Sequence, residues 1–343
     1  MVKKWNNSQV QFPSYLGFNY DSEKFVWQFS QSNQSWSWKI NEQMVDKINA
    51  AGGYVRELEG EMGDKGKPFK TNGWTQNHFR TELMGLEILI PDNTEIDEQL
   101  EINIDLCATK PIALTILIHL GENSHLNFKN KIHFNGKFSN LSLCVNGALA
   151  TGSGLDYTLV EDSPNLVKQT LIGDIQCQRD AHCNLNLFPE VHGDLLGDLR
   201  IYLAKTGSGG EINFGCYGQP NDWVGVQGMI EHDAPDTFSR INMRSVLYKN
   251  SKVNFTSIGK INHGAHGANA DQESRIMTIE EAKGSVNPAL IIDENDVKAG
   301  HAASVSQYDE DELYYLLSRG LSTVVAKQIL IDNFMNPILK KMN

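Results

Sequence analysis

The sequence has few cysteines, and they do not follow the spacing of a crosslinked or zinc-binding protein. Five occur among 343 residues, and no two of them are separated by two residues. An odd number of cysteines without a C-x-x-C pair argues against a disulfide framework and against a zinc ribbon. We therefore expect reduced thiols and a cytoplasmic protein.

Long hydrophobic runs are also missing. The longest mainly aliphatic segment, residues 112–120, has 9 residues, whereas a membrane-spanning helix needs about 20. Lys3 and Lys4 are not followed by the apolar segment of a signal peptide. We expect neither secretion nor insertion into a membrane.

Positive charge is scarce relative to negative charge. The chain has 30 Lys plus Arg against 42 Asp plus Glu, for a formal net charge of −12. A field of this sign repels phosphate backbones and anionic lipid headgroups. We therefore expect no nucleic acid and no membrane among the partners. With 40% hydrophobic and 21% charged residues, the composition is typical of a folded globular chain.

Residues 1–85 form a region of irregular composition that is rich in tryptophan. One short helix is predicted over residues 41–51, where Met44 and Ile48 share a face. We interpret residues 1–85 as an irregular, partly helical N-terminal cap. The role of its tryptophans stays open; they are Trp5, Trp27, Trp36, Trp38 and Trp74.

Residues 86–307 alternate between apolar and polar side chains. Leu100, Ile102 and Ile104 are separated by single polar residues, a period typical of half-buried strands. The same pattern recurs between Gly, Asn and Asp turns without an amphipathic helix, which leaves a sandwich, a barrel, a propeller or a solenoid. A sandwich usually ends near 100 residues, so we favour an all-β core folded as a parallel β-helix. At about 20 to 25 residues per coil, it would hold about nine to eleven coils.

Residues 308–343 are predicted to form a helical hairpin. Asp309 begins an acidic first turn suited to a helix N-terminus, and Gly320 is suited to the helix end. Ser322 can cap a second helix that reaches Pro337.

Two clusters of possible metal ligands remain open. Cys177, His182 and Cys183 lie close in sequence, but alternation places Cys183 among inward-facing apolar residues. His263 and His266 lie in a glycine-rich turn that does not orient two imidazoles toward one ion.

His301 is the strongest single candidate for a metal ligand. It shares a strand face with Ala303 and Val305, and its alanine neighbour is too small to shield it. A neutral imidazole in this position could bind iron or another borderline metal, and a polar histidine at a sheet edge is the alternative.

Residues 60–68 resemble a phosphate-binding loop but have Pro68 in place of the Ser or Thr that binds Mg²⁺. We therefore expect no nucleotide hydrolysis and no enzymatic activity.

Six short segments of the C-terminal quarter form a recognisable spaced pattern, residues 270–277, 287–290, 296–298, 301–303, 309–310 and 315–320. Through these segments the chain, over about residues 259–334, resembles the SufB/SufD family of iron–sulfur cluster assembly proteins, and in that family the SufD type most of all. The resemblance implies a right-handed parallel β-helix between helical terminal segments.

The resemblance also implies partners and site residues. Chains of this type pair through the β-helix with a SufB-type scaffold, and their C-terminal helices dock a SufC-type ATPase. His301 matches the histidine at that scaffold interface and is thus a candidate ligand for iron or an iron–sulfur cluster. Such cargo would be bound transiently in the complex, with no cofactor bound tightly by the isolated chain. The residues that match the ATPase-docking motif are Tyr315, Ser318, Arg319 and Gly320.

Departures from the family pattern refine this interpretation. Residues 283–297 contain no cysteine, which favours the SufD type over the SufB type. Ala299 and Gly300 stand where SufD chains often have Cys and Ser, so an auxiliary thiolate is missing.

A homodimer of the isolated chain is plausible because a solenoid end has free strand edges. The alternatives are a carbohydrate-active β-helix enzyme, which needs paired catalytic carboxylates, and a free-standing metal-binding protein.

Overall fold

A computed structural model describes residues 34–58, 73–79, 84–108, 110–134, 139–163 and 166–342. Within these residues the chain forms 18 strands and 4 helices. The helices are α1 (Glu42–Ala50), α2 (Gly73–His78), α3 (Glu310–Ser318) and α4 (Thr323–Leu339). The strands are β1 (Gln34–Ile40), β2 (Tyr54–Glu57), β3 (Met84–Ile90), β4 (Glu95–Ala108), β5 (Ile112–Leu120), β6 (His125–Phe134), β7 (Ser139–Leu149), β8 (Gly154–Asp162), β9 (Leu166–Cys177), β10 (His182–Phe188), β11 (Asp194–Leu203), β12 (Gly209–Gly218), β13 (Trp223–His232), β14 (Phe238–Leu247), β15 (Lys252–Ile261), β16 (Asn269–Thr278), β17 (Lys283–Ile292) and β18 (Lys298–Ser306).

The strands form two facing sheets of a parallel β-solenoid. Sheet A has the order β1-β4-β6-β8-β10-β12-β14-β16-β18, and sheet B has the order β17-β15-β13-β11-β9-β7-β5-β3-β2. From β3 onward consecutive strands alternate between the sheets, so two strands make one coil. From β3 to β17 the chain returns to sheet B seven times, so the described strands wind through between seven and eight coils. The expected all-β parallel solenoid is confirmed.

Each coil is longer than the sequence pattern suggested. Val224 lies opposite Val253 in the neighbouring strand, 29 residues later in the chain, instead of the expected 20 to 25. The strands β11 to β17 have 10 residues each, about twice the usual strand length. Longer strands make fewer coils, and the expected nine to eleven coils were therefore too many.

Alternation along each strand creates the core between the sheets. In β6 the residues Leu126, Phe128, Asn130, Ile132 and Phe134 are buried, while the residues that alternate with them are partly exposed. Corresponding residues stack from coil to coil, so the core is one continuous apolar column. Burial of each Leu, Ile or Phe side chain contributes about 1.5–3 kcal/mol to stability.

A recurring corner sets the step between coils. Residues with left-handed backbone conformation occupy it in successive coils: Asn123, Gly152, Asp180, Gly207 and Asp236 have φ of 53°, 69°, 55°, 74° and 55°. Only Gly, Asn and Asp adopt this conformation at low cost. Each backbone N–H at this corner donates to a carbonyl at the same corner of the next coil.

Two antiparallel strands close the N-terminal end of the solenoid. β1 pairs with β4 and β2 pairs with β3, and the predicted helix is present as α1, with Met44 and Ile48 buried. The expectation of an irregular, partly helical cap missed both strands. Trp36 and Trp38 pack against the core. Trp5, Trp27 and residues 60–68 lie outside the described residues.

The predicted C-terminal hairpin is present as α3 and α4. The side chain of Asp309 caps α3 and that of Ser322 caps α4. Helix α4 continues two residues beyond Pro337, since the ring is accommodated in its last turn. The helix packs against the outer face of sheet A, mainly on β12 and β14. In the described part of the chain, none of the helices combines the length and apolar character required to cross a membrane.

Candidate functional site

The last coil of the solenoid is uncovered. In the described residues, β17 pairs only with β15 and β18 pairs only with β16, so each strand has one edge with unpaired backbone groups. Ile291, Ile292 and Val305 are exposed at this end by 52%, 41% and 45%. We call the surface formed by β17 and β18 the open end.

His301 lies at the open end, in β18. It is opposite Gln272 of β16, which in turn is opposite Ile241 of β14. Both of those side chains are buried in the column, so His301 extends an inward-facing row. It is exposed because no further strand covers it, and its imidazole has no hydrogen-bond partner among the described residues. The ring is therefore free to bind a ligand.

The coil beneath His301 has a polar interior that sequence analysis missed. The buried amide of Gln272 accepts a hydrogen bond from Ser257 Oγ at 3.0 Å and donates one to the backbone carbonyl of Ala289 at 3.1 Å. Gly259 leaves room for it, since an added Cβ would lie 2.8 Å from the amide nitrogen. The amide thus connects β16 with β15 and β17. The available signal was the polar residue that interrupts the apolar row of β16.

A second exposed apolar surface lies on the C-terminal helices. Tyr314 and Val324 are 74% and 79% exposed, and Tyr315, Val325 and Ile329 are 55%, 47% and 41% exposed. We call these five residues the helical face. Solvent exposure of five large apolar side chains on two adjacent helices is typical of a protein interaction site.

The four residues predicted for partner docking come together at the end of α3. Arg319 donates a hydrogen bond to the Tyr315 hydroxyl at 3.1 Å and stacks 5.1 Å from the ring centre. Ser318 Oγ donates to the carbonyl of Tyr315 at 2.7 Å. Gly320 has φ of 88° and donates to the carbonyl of Leu317. Ser318 and Gly320 therefore end the helix, whereas Tyr315 and Arg319 contribute exposed surface.

The structure separates the members of the first candidate metal cluster. Cys177 and Cys183 are buried, while His182 is exposed on the opposite side of its strand. Burial raises the pKa of Cys177 to about 12 and that of Cys183 well above its usual value. Burial thus favours the protonated thiols, and among the described residues these three side chains form no group that could hold a metal ion.

The two turn histidines also lack a complete ligand set. His263 and His266 are exposed in the corner between β15 and β16. Among the described residues, no three His, Cys, Asp or Glu side chains are grouped so that they could hold a metal ion. His301 therefore has no further protein ligands grouped with it in the described part of the chain.

Comparison with known proteins identifies the family. The family model described as "SUF system FeS cluster assembly, SufBD core domain" matches residues 108–334. The iron–sulfur cluster assembly protein SufD of Bacillus subtilis is 36% identical over 151 residues, which cover 44% of this chain and 35% of that protein. A SufBD family protein of Mycobacterium tuberculosis is 32% identical over 112 residues, or 32% of this chain and 13% of the relative. A SufBD family protein of Staphylococcus epidermidis is 30% identical over 140 residues, or 40% of this chain and 30% of the relative.

The matches extend the resemblance seen in the C-terminal quarter through most of the solenoid. The family model begins at the end of β4 and ends within α4, so it includes both the open end and the helical face. The chain covers about a third or less of the length of these relatives. It belongs to the SufB/SufD family of iron–sulfur cluster assembly proteins.

Proposed function

We propose that the chain is a SufD-like scaffold subunit of the SUF iron–sulfur cluster assembly complex. In this proposal the open end pairs with a SufB-type scaffold, and the helical face docks a SufC-type ATPase. The observation that carries the proposal is the uncovered last coil, which leaves strand edges, apolar side chains and His301 free at one surface. The chain would act as a scaffold and not as an enzyme, in the cytoplasm.

The open end has the chemistry of a strand-pairing interface. The unpaired N–H and C=O groups of β17 and β18 can pair with the strands of another chain. Ile292 and Val305 would be buried by the same contact, with a gain of about 25 cal/mol for each Å² of apolar surface removed from water. A second solenoid end satisfies both requirements, because it offers strand edges and an apolar column in the same geometry.

The helical face suits a globular partner. Its two tyrosines supply large side chains that lose little conformational entropy on binding, a property typical of interface hot spots. Because residues 60–68 lack the Mg²⁺-binding hydroxyl, we assign ATP hydrolysis to the docked partner and not to this chain.

His301 is proposed as a ligand for iron or a cluster, which is cargo and not a resident cofactor. A neutral imidazole is a suitable ligand for iron. The position of His301 at the edge of the scaffold interface would allow the sister scaffold to supply the remaining ligands. This division agrees with the missing cysteine in β17 and with Ala299 and Gly300 before the histidine.

The proposal retains the three-part division of the chain. Residues 1–85 would form the N-terminal cap, residues 86–307 the solenoid core and residues 308–343 the ATPase-docking segment. The cap then closes one end of the solenoid, the core pairs at the other end, and the C-terminal segment docks the ATPase.

Affinity purification after co-expression with the sister scaffold and the ATPase tests both surfaces separately. Val305→Lys places a charge at the open end, and we expect it to abolish recovery of the sister scaffold while the ATPase is retained. Val324→Asp places a charge on the helical face, and we expect the reverse. An acidic residue in the first turn of α4 is favourable for the helix itself, so this variant should remain folded.

The control for Val324→Asp is Asn333→Asp, which adds the same charge at another exposed position of α4. It should recover both partners. The proposal is wrong if the wild-type chain recovers neither partner, or if neither variant reduces recovery of its own partner.

A further inference from the structure

Arg244 makes a buried contact between the C-terminal helices and the solenoid. It lies on the outer face of β14, and its side chain is only 10% exposed. The guanidinium donates one hydrogen bond to the backbone carbonyl of Phe334 in α4 at 2.9 Å and another to Glu273 Oε1 at 2.5 Å. It also stacks 5.5 Å from the centre of the Phe334 ring. One side chain thus joins α4, β14 and β16.

The contact lies where α4 is weakened by its own sequence. Pro337 is inside the helix and has no N–H to donate to the carbonyl of Asn333. Arg244 binds the adjacent carbonyl, that of Phe334. A cation is also favourable near the carbonyl end of a helix. The arginine therefore binds the helix at the turn where internal hydrogen bonding is incomplete.

Glu273 extends the contact toward the open end. Its carboxylate is shared with Arg275, whose Nε is 2.7 Å away. Glu273 lies opposite Ala302 of β18, the residue that follows His301. A chain of polar contacts and paired strands therefore leads from α4 to the strand that carries His301.

The other described hydrogen bonds and ion pairs between the C-terminal segment and the solenoid lie beyond the end of α4. Lys341 pairs with Glu211 at 3.0 Å, with 44% of the lysine side chain exposed, and Lys129 Nζ donates to the carbonyl of Met342 at 2.9 Å. Within α4, Ile331, Met335 and Ile338 are buried, and such apolar contacts are non-directional. The buried guanidinium of Arg244 instead donates from two nitrogens to acceptors on two elements, α4 and β16, and so adds a directional contact within the helix.

We propose that Arg244 is a positioning residue that holds the C-terminal helices in one orientation on the solenoid. It fixes the geometry between the helical face and the open end. The inference rests on the proposed function, in which a partner docked on those helices moves or loads the scaffold. Without Arg244 the helical face would still bind its partner, but the partner would no longer be held at a fixed angle to β18.

Hydrogen–deuterium exchange of the isolated full-length chain tests the inference without any partner. Arg244→Met preserves the apolar stem and removes both donors, while Glu273 keeps Arg275 as its partner. We expect backbone amides of α3 and α4 to exchange at least tenfold faster than in the wild type, with amides of β12 and β14 unchanged. Arg244→Lys retains the charge but cannot bind both oxygens in the same geometry, so it should give an intermediate increase.

Arg240→Met is the matched control. Arg240 lies on the same face of β14 and faces Asp271 of β16 at 3.5 Å, but it is 47% exposed, and its described contacts do not include α4. We expect wild-type exchange in this variant. Unchanged exchange of α3 and α4 in both Arg244 variants would overturn the inference, as would an equal increase in Arg240→Met.

A binding measurement separates this inference from the proposed function. If the wild-type chain does not bind the ATPase, the proposed function fails, and the exchange data still decide the role of Arg244 in orienting the helices. If the ATPase binds the wild type and Arg244→Met with affinities within about threefold, while exchange differs as expected, then Arg244 orients the helices and does not form the docking surface. Loss of ATPase binding by Arg244→Met with unchanged exchange would contradict the assignment.

Discussion

The open end has one exposed imidazole, that of His301, and it is the side chain there best suited to bind a metal. His301 occupies an inward-facing row whose preceding members, Ile241 and Gln272, are buried. The chain thus has, at a core position of the last described coil, a polar residue that is exposed to water. Polar residues at core positions are expected at functional sites, where local preference gives way to chemistry.

Replacement of His301 by alanine should separate chemistry from folding. Because the side chain is exposed and has no hydrogen-bond partner among the described residues, the free energy of unfolding should change by less than about 0.5 kcal/mol. The purified complex should still form, but the amount of iron–sulfur cluster assembled on it should fall severalfold, as measured by its visible absorption. Ser304→Ala, on the other face of β18, is the control, and an equal loss in both variants would argue against a ligand role.

Glu161 is a buried acid whose ionisation should make stability depend on pH. Burial raises its pKa to about 7, opposed by hydrogen bonds from Gln169 and Ser163, while Glu190 raises the pKa further. The folded-state pKa therefore exceeds the unfolded value of 4.5. The unfolded chain releases its proton first, so stability from this residue is complete at acidic pH and is lost as the pH rises from about 4.5 to about 7.

Glu161→Gln should remove this part of the pH dependence. At pH 5 the variant and the wild type should have similar unfolding free energies, since an amide resembles a protonated carboxyl group. At pH 8 the variant should be more stable by up to about 3 kcal/mol, from a pKa difference of about 2.5 at 1.36 kcal/mol per unit. Urea unfolding at both pH values measures the difference. The same stability difference at pH 5 and pH 8 would show that Glu161 is not protonated in the folded chain.

The corner turns are the elements that hold the coils in register. The side-chain oxygen of an Asp or Asn in one coil lies next to a glycine of the following coil. The pairs are Asn123 with Gly152, Asp180 with Gly207, and Asp236 with Gly267. An added Cβ at any of these glycines would collide with the side-chain oxygen of the preceding coil. The glycines are therefore required both for their backbone conformation and for space.

A pair of glycine substitutions separates those two requirements. In Gly207→Ala the new Cβ would collide with the Asp180 carboxylate, and the alanine would also have to adopt a φ of 74°. In Gly264→Ala the φ of 91° is the only unfavourable feature, because no atom lies within 4 Å of the new Cβ. We expect Gly264→Ala to cost about 1–2 kcal/mol and Gly207→Ala to cost about 2–4 kcal/mol. Thermal unfolding of the two variants measures the difference. Equal destabilisation would mean that the corner relaxes freely around the added methyl group.

The elements that depend on local signals were predicted well from the sequence. The strands follow from alternation, and Asp309, Gly320 and Ser322 mark the ends of α3 and α4 because capping is a local interaction. Strand β1 was missed, although Trp36 and Trp38 alternate with serine and lysine, because the polar composition around them suggested a loop. The coil length was underestimated because most strands of the solenoid are about 10 residues long, and alternation gives the face of a residue but not the number of residues in a strand.

The two ends of the solenoid differ in the described part of the chain. At the N-terminal end, β1 and β2 pair antiparallel with β4 and β3, and α1 buries Met44 and Ile48 against the core. At the other end no described element covers β17 and β18, and Ile292 and Val305 are exposed beside the free strand edges. A free sheet edge with apolar neighbours tends to pair with other chains, so the open end is where we expect another chain to add.

Self-association of the isolated chain should follow from this asymmetry. In sedimentation velocity experiments we expect a concentration-dependent dimer for the wild type, formed through the open end. Val305→Lys should shift the chain to monomer at all accessible concentrations, whereas Gln328→Lys, which adds the same charge on α4, should behave as the wild type. A dimer unaffected by Val305→Lys would place the contact elsewhere.

Long-range neighbours are the part of the site that could not be predicted from the sequence. Motif resemblance located His301 and Tyr315, but nothing local indicated that Arg244 contacts Phe334, 90 residues later, or that Gln272 binds Ala289 across the column. These contacts arise from the stacking of coils and from the return of α4 onto sheet A. They depend on the complete fold and not on any one segment.

Native mass spectrometry of the complex purified through this chain tests the central claim most directly. Co-expression with a SufB-type scaffold and a SufC-type ATPase should give one assembly that contains one copy of this chain, one sister scaffold and two ATPases, because the proposed function assigns one docked ATPase to each scaffold. Recovery of this chain alone, or with the ATPase but never with the sister scaffold, would contradict its role as a paired scaffold subunit.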